Sequence, residues 1–230
     1  MLNFNLTAGN SAIDRLLEVT DNPRHRYILM AYARHRFLEV AGRHDEIFTS
    51  DMMADRPVYS MQALGFNARL EGKETVKKLY RMWAETNQCI FYTENEQVAV
   101  ADNFVASVLT LYQQVWGTSL TISKVLRALP TRLSDRVLLK IISRQGVTAD
   151  RNSMYLYKTH IETIWPYDER GRLVGEHVWE PSGLKPEITK LDPADVVTTA
   201  EAARLLAPLI KPLPSFDEMV LGRKAQPGGH

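Results

Sequence analysis

The chain has 230 residues, 45% hydrophobic and 24% charged, enough to bury one elaborated core. Its 28 Lys plus Arg against 27 Asp plus Glu argue against nucleic acid or an anionic membrane as the main partner. The single cysteine, Cys89, excludes an internal disulfide and a Cys-rich metal framework. The opening MLNFNLTAGNS reads as neither a secretory signal nor a membrane span, so a cytoplasmic location is the expectation.

Residues 1–23 read as a loose arm and a short helix over 11–19, with Ile13, Leu16 and Leu17 on one side. Asn22-Pro23 restarts a helix, because Asn caps and Pro fits the first turn. Three-to-four spacing carries that helix to Val40, and Gly42 ends it. A further short helix is expected over 45–53, then a first strand over 57–63. Gly72 opens an amphipathic helix over 73–86, with Val76, Leu79, Tyr80 and Trp83 inward. Strands are expected over 88–100 and 104–116, rich in Val, Leu, Thr and Tyr. Two short helices over 121–129 and 134–145 are split by Pro130. A long hairpin follows over 154–180, turning at Asp168-Glu169-Arg170-Gly171, where glycine takes a positive φ. A last helix runs from Thr198 or Thr199 to Ile210, before an extended tail.

Helices, strand, helix, then a run of long strands point to an α+β fold. Its sheet is curved and antiparallel, and the leading helices close a cone over the concave face. The hairpin is unusual in being amphipathic on both faces. Met154, Leu156, Lys158, His160, Glu162 and Ile164 share one parity. Tyr155, Tyr157, Thr159, Ile161, Thr163 and Trp165 share the other. That suits a sheet wrapped round a pocket, and leaves open which parity faces in.

The segments AYARHRFLEVAGRHDEIF, PVYSM, LEGKETVKKLYRMW and YDERGRLVGE, in this order, resemble the SnoaL-like branch of the nuclear transport factor 2-like superfamily. The resemblance covers residues 24–180, with 118–150 as a helical insertion and 181–230 as a C-terminal extension. It implies a conical pocket, chemistry without a metal or organic cofactor, and a homodimer or homotrimer. A narrower resemblance is to the diarylpropane formaldehyde-lyases of lignin catabolism. It implies a small aromatic substrate, a phenolic diol dehydrated and deformylated to a stilbene plus formaldehyde.

The match departs from the family at two places. The dehydrochlorinase-like branch carries an Asp five residues before a tyrosine that corresponds to Tyr32, and Tyr27 stands there instead. Its histidine falls in Cys89-Ile90-Phe91-Tyr92, which has none. Tyr59 stands where scytalone dehydratase places a first-strand tyrosine.

Catalytic weight therefore moves to the hairpin. His160 is the first acid/base candidate, because its ordinary pKa lies near working pH; a structural histidine in the sheet is the competing reading. Lys158 is a candidate oxyanion holder or base, against a lysine snorkelling at a strand end. Glu162 orients its neighbours or faces solvent. Tyr59 and Tyr92 are candidate proton donors. Tyr27, Tyr32, Arg34, Tyr112 and Trp116 are candidate substrate contacts, although plain packing explains buried tyrosines equally well. No zinc, phosphate-loop or nucleophile-elbow motif occurs. The expected activity is a cofactor-independent lyase. The alternatives are a dehydratase or isomerase, a polyketide cyclase, and a non-catalytic binding module.

Overall fold

The computed structural model describes residues 4–63, 67–119 and 150–222. The insertion expected at 118–150, with its two helices, falls almost wholly outside the described residues. Helices α1 (Ser11–Val19), α2 (Pro23–Val40) and α3 (Lys73–Glu85) form one layer. Asn22 accepts from the Arg24 and His25 N–H groups and Pro23 occupies the first turn of α2, as its sequence dictates. Gly72, at φ +83°, admits the chain into α3.

The second layer is a sheet of β1 (Met53–Gln62), β2 (Ala68–Glu71), β3 (Phe91–Ala101), β4 (Phe104–Trp116), β5 (Met154–Pro166), β6 (Leu173–Trp179) and β7 (Glu187–Lys190). The strand order is β2-β1-β6-β5-β4-β3, with β7 on the free stretch of the β5 edge. Neighbours are antiparallel except β1 and β6. Irregularities between Met53 and Val58 and between Glu94 and Gln97 bend the sheet, which stays unclosed. Helix α2 lies across the concave face: Tyr32, Ile28 and Leu29 share a core with Val105, Trp165 and Leu173. The result is the expected α+β cone.

Where 45–53 was expected to be helical, a 3-10 turn over His44–Glu46 gives way to β1 at Met53. The strands β2 and β7 are four residues each, too short for a periodic pattern to mark them in the sequence. The hairpin turn is built as expected: Gly171 sits at φ +70°, and Asp168 accepts from the Arg170 and Arg172 N–H groups. Arg24 anchors that turn through the carbonyls of Asp168 and Glu169.

The segment after residue 180 folds back. A capping box joining Thr198 and Glu201 starts α4 (Thr199–Leu206), and Ser215 caps the short α5 (Phe216–Met219). Leu206 and Ala202 pack with Phe37 and Val40, while Phe216 stands edge-on to Tyr27 at 5.1 Å. Helix α2 is thus covered on the side away from the sheet as well. Among the described residues no helix is long and apolar enough to cross a membrane.

Candidate active site

A cavity lies between α2, α3 and the concave sheet face. Its volume is about 70 Å³. One water needs about 10–15 Å³, so the cavity takes several waters or a small ligand. Met61, Leu109, Leu111, Ile161 and Val178 make its walls apolar.

Six of the cavity's polar groups come from four elements. Tyr32, Arg36 and Glu39 stand three or four residues apart on α2, so they share a face. Tyr80 comes from α3. Tyr59 and Glu176 are register partners on the parallel strands β1 and β6, so their side chains emerge together. Gly175 makes that pairing possible, because a Cβ there would sit on the Val58 carbonyl.

Arg36 is the one cation lining the cavity among the described residues, and its charge is engaged. Its guanidinium donates to both Glu96 oxygens at 2.8 and 2.9 Å, and to Thr93 Oγ1 at 2.9 Å. The Arg36 and Glu96 side chains are 5% and 4% exposed, so the pair is desolvated. Glu39 and Glu176 have no such partner: neither makes an ion pair among the described residues. Burial, then the Glu176 charge, raises the Glu39 pKa well above the usual carboxylate range; Arg36 and the Tyr80 hydroxyl pull it back. Burial pushes Glu176 up to about 8, against the pull of Arg36. Two carboxyls in one low-dielectric cavity cannot both ionise cheaply; with both raised, the pair stays largely protonated at neutral pH and gives up its first proton near pH 8.

His35 stands behind this group. Its Nε2 is 3.0 Å from the Tyr80 hydroxyl, and burial holds its pKa down to about 3, so the ring is neutral. Of three buried side-chain atoms that make no hydrogen bond of regular geometry among the described residues, two are Trp165 Nε1 and Tyr59 Oη, the second with the Tyr80 hydroxyl beside it. Both residues line the cavity. No three His, Cys, Asp or Glu side chains are grouped as metal ligands among the described residues.

Of the residues singled out in the sequence, Tyr32 and Tyr59 line the cavity. The Met154 parity does not, and this corrects the expected base. Lys158 lies on the convex face, 2.9 Å from Glu187 and 5.8 Å from the Tyr112 ring centre. His160 and Glu162 follow on the same face of β5, while Ile161, Thr163 and Trp165 point inward. Tyr92 and Tyr112 stack at 4.5 Å on the convex side, and Trp116 Nε1 donates to the Thr86 carbonyl. Tyr27 packs against Phe216, and Arg34 bonds Glu46 and the Lys211 carbonyl. The physical reason for the inversion is the folded-back ends: Leu191 and Phe4 cover Met154 and Leu156 from outside, so that parity is apolar without facing the cone.

Glu39, Glu176, Tyr80 and Trp165 were not picked out from the sequence. One signal was available: Tyr32, Arg36 and Glu39 at helical spacing, a polar stripe on a helix otherwise buried.

Neither a protein-family model nor a curated protein matches the sequence. Solved structures resemble it in fold. A polyketide cyclase candidate from Xanthomonas campestris is 10% identical, with 70% of this chain and 93% of that one covered and a TM-score of 0.41. An epoxide hydrolase/cyclase-like enzyme of pyran ring formation in the polyether salinomycin is 11% identical, with 68% and 91% covered and a TM-score of 0.39. A nuclear transport factor 2-like protein from Anabaena variabilis is 12% identical, with 64% and 90% covered and a TM-score of 0.34. What the described residues show by themselves is the cone: a curved, unclosed sheet with helices across its concave face. Within such a cone, likeness this distant carries no argument about chemistry, which rests on the cavity's own residues.

Proposed function

We propose that the protein is a cofactor-independent acid–base enzyme acting on an uncharged, largely apolar small molecule, of the cyclase, isomerase or dehydratase kind. The observation that carries this is the Glu39–Glu176 pair, two carboxyls facing one apolar cavity with no cation of their own. Once it has given up one proton, near pH 8, the pair offers an acid and a base side by side. The protonated carboxyl gives its proton to the oxygen that departs, to an epoxide oxygen as its ring opens, or to a carbonyl oxygen as it enolises. The ionised carboxyl takes a proton from carbon or hydroxyl, and the pair ends with the proton count it began with. Tyr80, backed by His35, steadies Glu39, and Tyr59 stands beside Glu176.

The finer form is a lyase that dehydrates and deformylates a lignin-derived diarylpropane diol. In it the carboxyl pair takes the acid and base roles first expected of His160 and Lys158, and the Tyr32 and Tyr59 hydroxyls meet the phenol. Incubation with a 1,2-diarylpropane-1,3-diol that yields neither formaldehyde nor stilbene removes this form alone.

The broader reading is tested with a panel of uncharged hydroxyketones, epoxides and β,γ-enones, assayed for dehydration, cyclisation and isomerisation. Glu39→Gln and Glu176→Gln should each lower turnover by about 100-fold or more. Turnover that survives both substitutions contradicts the reading. Binding without turnover across the panel favours a binding module.

A further inference from the structure

We propose that Trp165 Nε1 and Tyr59 Oη together hold an acceptor oxygen of the substrate, so that the ligand class is an uncharged carbonyl, ether or epoxide. This rests on the acid–base reading above and names what that site binds.

The indole nitrogen donates and never accepts. Trp165 Nε1 is buried without a partner among the described residues, on a residue that is 4% exposed. An orphaned buried N–H costs about as much as a lost hydrogen bond. Packing does not require it. The Trp165 ring stands edge-on to Tyr32 at 4.9 Å and to His35 at 4.6 Å, contacts that a phenylalanine keeps in kind. The Tyr59 hydroxyl, on a residue 1% exposed, makes no bond of regular geometry but has the Tyr80 hydroxyl beside it as a hydrogen-bond neighbour. The unpaired indole N–H from β5 and this hydroxyl from β1 thus open on one cavity. A single oxygen with two lone pairs satisfies both.

Charge narrows the class further. An anion would meet Glu39 and Glu176 and find Arg36 already held by Glu96. A cation brings only donors and leaves the Trp165 N–H unpaired. A neutral molecule with an acceptor oxygen fits the donors, the carboxyl pair and the apolar walls at once. Its oxygen then lies where a proton from the carboxyl pair, or the two fixed donors, can stabilise negative charge as it develops.

The test uses the full chain and three probes of one size: acetophenone, ethylbenzene and benzoate, followed at pH 7 by NMR of the assigned Trp165 indole N–H and of cavity methyls. Acetophenone should move the indole proton downfield and bind about tenfold more tightly than either other probe. In Trp165→Phe that preference should fall to about twofold or less, with ethylbenzene affinity kept; Tyr59→Phe should lower it in part. The wild-type shift stands without either variant. Acetophenone that perturbs the methyls of Leu109, Leu111 and Ile161 yet leaves the indole unmoved overturns the inference. So does equal binding of acetophenone and ethylbenzene. Failure of the acid–base reading looks different: ordinary titration of Glu39 and Glu176 with the acetophenone preference intact. No perturbation by any probe overturns both.

Discussion

Glu39 on α2 and Glu176 on β6 meet in one cavity, and the charge on Glu176 raises the pKa of Glu39. A helix carboxyl and a sheet carboxyl therefore titrate as a unit, with consequences for stability as well as chemistry.

Glu176 has a folded pKa of about 8, above its ordinary 4.5. The native state then binds more protons than the unfolded chain between those values. The stability it contributes is full below about pH 4.5 and lost as pH rises through 8. Glu176→Gln removes the ionisation, so from pH 5 to 9 the wild type should lose about 4 kcal/mol relative to the variant. Urea melts at both pH values check this. Parallel wild-type and variant profiles contradict it.

His35 works in the opposite direction. Burial lowers its pKa to about 3, below the unfolded 6.5. The unfolded state then binds more protons between these values, so stability is present above 6.5 and lost as pH falls toward 3. His35→Phe also removes the contact with the Tyr80 hydroxyl, costing roughly 1 kcal/mol at pH 7. The variant should nevertheless lose less than the wild type between pH 7 and 4. Thermal melts across that range decide it.

The Arg36–Glu96 pair is desolvated on both sides. Arg36→Met leaves Glu96 buried without its cation, and should cost about 3–5 kcal/mol. Adding Glu96→Gln should restore part of the loss. A double-mutant cycle in urea measures the coupling, and simple additivity would show that the pair does not act as one.

Gly175 has backbone of β1 where a side chain would be. Gly175→Ala should part β1 from β6, move Glu176 away from Tyr59, and destabilise the chain by at least ~3 kcal/mol. Amide hydrogen exchange over Val58–Met61 should rise with it. A stable variant with wild-type exchange contradicts the register.

The fold was largely legible. The bounds of α1, α2 and β4 follow from caps, periodicity and β-rich composition, and α3 from Gly72 and its apolar face. The site was legible only through Tyr32 and Tyr59. The β5 parity misled because Met154 and Leu156 are buried by the chain's own ends, and no local pattern announces that covering. Glu39 was hard to single out because α2 carries polar residues all round and is packed on nearly every side, so the Tyr32, Arg36 and Glu39 stripe does not stand out against an apolar face. Glu176 sits in LVGEHVWE, where a glycine breaks the alternation that would have aimed it inward.

The most direct measurement is a carbonyl-detected NMR titration of the Glu39 and Glu176 carboxyls in the wild type, with each single Gln variant as assignment. The account predicts two separated steps belonging to the pair, one of them near pH 8, and a lower pKa for Glu39 in Glu176→Gln. Two independent carboxyls each titrating near 4.5, unchanged by substitution of the other, would contradict it.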